Sequence, residues 1–166
     1  YIYNPCCQNY FVGYRWDDAV DYWISRVYMI WDLSSIPASA TIEKALLRID
    51  YFWPSTVNSQ GSEDPAQSIG VHKVLSPWTS SGVCWSVQPT FKASYEYAVP
   101  VYLVSEDWPY ESLGHRDWDL TTMVQRWHNG TDTNYGVVIK SENESLNALV
   151  QCDTPFTLKV TYVQSQ

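Results

Sequence analysis

The sequence predicts an all-β protein, an antiparallel β-sandwich of jelly-roll type carrying one short helix, and three observations predict it. Apolar and polar residues alternate with period two in many short runs, the runs are rich in Val, Ile, Tyr and Phe, and clusters of Ser, Pro, Asn, Asp and Gly separate them. Alternation places every second side chain on one face of a strand. Many short strands with one apolar face each close most simply as two packed sheets.

In chain order the expected strands are Tyr10–Tyr14, Arg26–Asp32, Ile42–Phe52, Ile69–Val74, Ala98–Val104, Tyr135–Lys140, Leu146–Val150 and Phe156–Val163. Turn chemistry separates them, as in Ser34-Ser35-Ile36-Pro37, Ser62-Glu63-Asp64-Pro65 and Asn129-Gly130-Thr131. Between Asp119 and Gly130 the period changes: Leu120, Met123, Val124 and Trp127 fall at helical spacing, so a helix of two to three turns is expected. Asp119 or Thr121 would accept its first free N–H groups, and Gly130 would end it in the left-handed conformation. Its apolar side should plug one end of the sandwich, with Trp127 in the core. The Asp50–Gln67 and Ser105–His115 stretches read as long polar loops.

Length and composition support one domain spanning 1–166. The chain is 45% hydrophobic and 17% charged, enough apolar material for a packed core and too little charge for a disordered tail. A net charge of −8, with the ten Lys and Arg scattered singly, would repel a phosphate backbone and argues against nucleic acid or an anionic membrane as partner. No run is long enough to cross a bilayer, so membrane insertion is not expected. The chain opens at Tyr1 without a Met or a signal-type segment, as expected of a module excised from a longer protein.

The four cysteines, Cys6, Cys7, Cys84 and Cys152, match no zinc or redox spacing. In an oxidising compartment Cys6 and Cys7 would reach across the fold to Cys84 and Cys152; the alternative is buried free thiols. The acids of Arg15-Trp16-Asp17-Asp18 and Asp21-Tyr22-Trp23 stand close enough to hold a structural calcium through Asp17, Asp18 and Asp21, although the spacing is not that of an EF-hand and a solvated acidic loop explains them too. No other cofactor is indicated. Acid pairs for glycoside hydrolysis can be nominated at Glu106-Asp107 and Asp117/Asp119, but an acidic protein offers such pairs without catalysing anything, and His72, His115 and His128 are too dispersed for a triad. The chain is therefore expected not to be an enzyme.

Nine Trp and thirteen Tyr exceed what one core of this size needs. Flat rings suit the apolar C–H face of a pyranose, and planar polar groups suit its hydroxyls. Trp16, Trp23, Trp53, Trp108 and Tyr110 lie in loop or strand-edge contexts with Arg15 and acids nearby, so these six residues are the expected ligand contacts; the alternative is that the rings cap the core.

The stretch from Arg26 through Trp31-Asp32-Leu33-Ser34-Ser35-Ile36-Pro37 to Leu47-Arg48 resembles the signature of the DNRLRE-domain group of bacterial and archaeal surface modules. Ser76-Pro77-Trp78, Trp85-Ser86-Val87-Gln88-Pro89, Asp119-Leu120-Thr121 with Trp127, and Asn134-Tyr135-Gly136 follow in that group's order. Members are similar to carbohydrate-binding module family 96, jelly-roll domains attached to polysaccharide-degrading enzymes and cell-surface proteins. The resemblance implies a secreted or cell-surface, non-catalytic module that binds polysaccharide and targets a larger multidomain protein to it; the other functions weighed are a structural or adhesive spacer and, third, a polysaccharide lyase using His115 or Tyr110. Cys6-Cys7, Cys84 and the aromatic Tyr14–Trp23 stretch depart from the group's pattern. Physically, Asp32–Pro37 and Asn134–Gly136 read as scaffold turns, and Trp85 with Gln88-Pro89 as a bulky anchor followed by a turn.

Overall fold

The computed structural model describes residues 10–17, 20–55, 67–101, 115–146, 148–152 and 155–164, and for 15–17, 20–23, 51–55 and 151 the backbone only. Within them the chain forms ten strands and one helix: β1 Tyr10–Asp17, β2 Val20–Ser25, β3 Val27–Met29, β4 Ala40–Ser55, β5 Gln67–Lys73, β6 Tyr97–Val101, β7 His115–Asp119, α1 Thr121–His128, β8 Val137–Ser141, β9 Ala148–Cys152 and β10 Thr157–Gln164. The all-β expectation with a single short helix holds.

Two layers result. One sheet runs β10-β4-β9-β1-β2, with β7 also paired to β4; the other runs β3-β8-β5-β6, and the pairs are antiparallel. The long β4 is shared along its length: Ala40–Arg48 meets β10, Leu46–Asp50 meets β7, and Tyr51–Ser55 meets β9. Alternation does what the sequence requires of it. Ile42, Ala45, Leu47 and Ile49 of β4 and Val12 of β1 face Val27, Met29, Ile69, Val71, Val137 and Ile139 of the second sheet in one buried cluster.

Trp118 ties the layers together. It is 2% exposed, and its indole N–H donates across the core to the Ile69 carbonyl at 2.9 Å, so the one polar atom of a buried ring is satisfied by the opposite sheet. The helix packs against β4 with Met123, Val124 and Trp127 buried, which puts Trp127 in the core as expected. The Asp119 carboxylate accepts the Thr121 backbone N–H (3.0 Å) and hydroxyl (2.6 Å), while the Thr121 hydroxyl oxygen accepts the Ala45 N–H (3.0 Å). Gly130, at φ +73°, closes the far end, its N–H donating to the Trp127 carbonyl. The two scaffold turns also form as read. Asp32 accepts the Ser34 N–H, Asn134 accepts the Gly136 N–H, and a Cβ on Gly136 would collide with the Met29 carbonyl oxygen.

Two strands differ from expectation. Val20–Ser25, whose start was read as part of an acidic loop, pairs with β1, and His115–Asp119, between the expected Ser105–His115 loop and the helix, pairs with β4. β4 also runs on to Ser55, so Trp53 lies on a strand opposite Gln151 rather than in the polar excursion.

Trp118→Phe should lower stability by about 1–3 kcal/mol, through the lost hydrogen bond and a small cavity, and Trp118→Ala by about 3–5 kcal/mol, read from urea midpoints at equal slope. An unchanged midpoint in Trp118→Phe would remove the cross-sheet bond from the account of stability.

Candidate functional site

β3 is the edge strand of the second sheet, and its alternation sorts the site from the core. Val27 and Met29 point inward and are buried, so Arg26 and Tyr28 occupy the outward positions beside the long connection from β5 to β6. That connection has little regular structure and is held at its base by backbone bonds: Leu75 N–H to the Thr90 carbonyl, Lys92 N–H to the Lys73 carbonyl, and a Val74–Phe91 bridge. His72, fully buried, places Nδ1 at 2.9 Å from the Lys92 carbonyl and Nε2 at 2.7 Å from Glu142. At the far end Cys84 and Val87 exchange both backbone hydrogen bonds, a tight turn that projects Trp85 and Ser86.

Gln88 organises this tip. Its amide oxygen accepts from Arg26 Nη1 (2.8 Å) and from the Tyr28 hydroxyl (2.9 Å), and its amide nitrogen donates to the Trp85 carbonyl (2.9 Å). Glu144, on the turn after β8, takes Arg26 Nε and Nη2 at 2.6 Å each in a bidentate pair. The Glu144 hydrogen bond and charge raise the arginine's pKa against the cost of burial, so the guanidinium stays charged; burial raises that of Tyr28, which remains a donor. The guanidinium carbon sits 4.9 Å from the Trp85 ring centre and 5.5 Å from that of Phe91.

The result is a cleft of about 190 Å³ whose walls include Tyr10, Arg26, Tyr28, Trp78, Trp85 and Gln88. A second hollow of about 430 Å³ adjoins it, with Trp78, Val83 and Gln88 common to both. Trp78 is half-buried and fixed by its indole N–H, which donates to the Tyr135 carbonyl at 2.7 Å. Trp85 is 45% exposed. Trp85, read as a bulky anchor before a turn, lies within the Cys84–Val87 turn with its ring displayed, and Gln88 steadies that turn through the Trp85 carbonyl. The signal was present in the sequence, a Trp inside the turn-forming tract Ser80-Ser81-Gly82-Val83-Cys84-Trp85-Ser86 with no strand alternation around it.

The family model of carbohydrate-binding module family 96 matches residues 12–153, most of the chain. The chain belongs to this family. No curated protein matches the sequence. The module is thus of a carbohydrate-binding kind, and its cleft offers the flat ring and the fixed polar groups that a sugar requires.

Of the ligand contacts expected from sequence, Trp108 and Tyr110 lie outside the described residues. Arg15, Trp16, Trp23 and Trp53 are described in backbone alone, on β1, β2 and β4, with Arg15 opposite Trp23. Asp17 and Asp21 of the expected calcium set likewise lie on β1 and β2, and Asp18 lies outside the described residues. Cys84 is an exposed thiol and Cys152 a buried one whose pKa burial pushes up to about 12; neither is in a disulfide, so the expected bridges to them are not formed. Cys6 and Cys7 lie outside the described residues.

The nominated acids at the end of β7 are otherwise employed. Asp117 takes Arg48 in a bidentate pair at 2.8 Å, and Asp119 takes Lys44 at 2.7 Å. The Lys44 ammonium, then the Thr121 hydroxyl, hold Asp119 at a pKa of about 2, against an ordinary value of 3.8. A carboxylate held below its ordinary range is a poor proton donor at neutral pH. Because its folded pKa is depressed, its stabilisation is complete above pH ~4 and lost as pH falls towards ~2. The pair is partly exposed, so the effect should be under about 1 kcal/mol. Asp119→Asn should flatten the slope of urea midpoint against pH across that window, and an unaltered slope would place the acid sensitivity elsewhere.

Proposed function

We propose that the module is a non-catalytic polysaccharide-binding domain that works outside the cell, secreted or on its surface, and targets a larger protein to a glycan held against Trp85. We read its two-sheet architecture as a jelly roll. The observation that carries the binding role is the constraint on Trp85: a solvent-exposed indole laid over a guanidinium that is itself fixed by Glu144 and Gln88. A rigid ring loses little entropy when a sugar docks on it. The cleft runs on into the adjoining hollow past Trp78, Val83 and Gln88, which suits a chain lying across the surface. Family membership supports the sugar, and the pairing of Asp117 and Asp119 supports a role without catalysis.

The spacer alternative predicts no glycan affinity and no consequence of losing an exposed ring. Affinity electrophoresis against a polysaccharide panel separates the two. The wild type should be retarded by at least one polysaccharide, and Trp85→Ala should weaken that retardation roughly tenfold, the scale of one lost stacking contact. Tyr162→Ala, which removes a ring 40% exposed on β10, should leave it unchanged. Equal behaviour of Trp85→Ala and wild type, with loss instead in Trp53→Ala or Trp108→Ala, would move the site to the rings first nominated from sequence.

A further inference from the structure

Resting on Trp85 being a glycan contact, we propose that the site continues beyond the cleft, across the outer face of the second sheet to Tyr95, so that the module takes a run of several sugars rather than a single one. The strand register sets the axis. Tyr28 of β3 pairs with Val138 of β8, and Val138 with His72 of β5; all three alternate with core residues and so share the outer face. Arg26 stands on the same face, two residues before Tyr28. β3 and β5 flank β8, which puts the strands of Arg26 and His72 about 10 Å apart.

The connection from β5 to β6 lays three rings along that axis. The Arg26 guanidinium carbon lies 4.9 Å from the centre of the Trp85 ring and 5.5 Å from that of Phe91. Phe91 in turn lies 5.7 Å from the His72 ring, and His72 lies 6.3 Å from Tyr95. Trp85, Phe91 and Tyr95 therefore follow one another from the β3 edge towards β6, with a side chain of the sheet between each ring and the next.

Exposure marks the two ends of the row. Trp85 is 45% and Tyr95 51% exposed, while Phe91 between them is half-buried and His72 fully buried. Tyr95 stands at 89° to the imidazole, so the two rings do not stack and half of the tyrosine stays in water. A single pyranose on Trp85 does not reach Tyr95 over that distance, whereas a chain does. Sugars repeat along a polysaccharide, and flat rings set at intervals along one axis suit a repeating ligand. Each further ring adds a weak contact to a chain already held, so the contacts reinforce one another.

The test is affinity electrophoresis in gels holding a mannan, a xylan, a β-glucan, a polyuronate or a sulfated galactan. Oligosaccharides cut from the polymer that retards the wild type, from disaccharide to about octasaccharide, then serve as competitors. Wild-type affinity should rise roughly tenfold from the disaccharide to the longest competitor. Trp85→Ala should weaken binding at every length, whereas Tyr95→Ala should weaken the polymer and the long competitors roughly five- to tenfold and leave the disaccharide unchanged. Tyr95→Phe, which keeps the ring, should bind as the wild type does. If Tyr95→Ala fails to fold, Tyr95→Leu, apolar but without a flat face, carries the same expectation. A folded Tyr95 variant without the ring that binds polymer as tightly as the wild type, while Trp85→Ala binds weakly, would overturn the extension and leave the contact at Trp85 standing. A disaccharide that competes as well as the longest oligosaccharide would do the same. Retardation by no polymer, or equal retardation of wild type and Trp85→Ala, would remove the Trp85 contact on which the extension rests.

Discussion

The site depends on a constraint that operates over three residues. The side chains of β3 alternate, so its outward ones stand off the face of the sheet and must find their partners in whatever lies over that face. With Val27 and Met29 committed to the core, Arg26 and Tyr28 are left to the connection between β5 and β6, which brings Gln88, and to the turn after β8, which brings Glu144. A loop with little ladder of its own is thereby fixed by side chains from three separate parts of the sequence. Most of its order depends on one charged pair and one amide.

The base of that loop is fixed by different means. His72 is fully buried, with Nδ1 beside the Lys92 carbonyl and Nε2 beside the Glu142 carboxylate. Phe91 packs against the ring edge at 5.7 Å. The arrangement works because β5 has glycine at position 70: a Cβ there would collide with the Glu142 oxygen that reaches His72. One end of the loop is thus anchored to the middle of the sheet, the other to its edge, and Trp85 is carried between them.

Much of the scaffold was legible from period alone. The runs at β3, β4, β5 and β10 put apolar residues at alternate positions, β8 showed as the continuous run Val137-Val138-Ile139, and the helix showed its own period through Leu120, Met123, Val124 and Trp127. β7 was hidden because in His115–Asp119 only Trp118 is apolar, while Asp117 and Asp119 serve ion pairs with β4 that no local pattern announces. β2 was hidden because Asp17, Asp18 and Asp21 crowd its start and mask the alternation. The cleft was the least legible part, for a physical reason: Arg26, Gln88 and Glu144 are separated by 62 and 118 residues along the chain, and only the fold makes them one unit. Composition did carry the surplus of rings, but each ring's fate depends on contacts that composition does not contain.

The exposed indole bears on which surface role the module plays. With 45% of Trp85 accessible, about 100 Å² of ring stays in water and roughly 2–3 kcal/mol of available burial is forgone. A spacer would gain stability by turning that ring inward or replacing it with a polar residue, since a turn flanked by Ser86 and Gly82 places no demand on an aromatic. The fold instead spends a bidentate ion pair and a three-way amide contact on holding the guanidinium beneath it. The same contacts that order the loop also set the position of the ring. Their shared effect is to fix the orientation of a flat apolar surface before anything binds, which lowers the entropic cost of a weak, shallow contact.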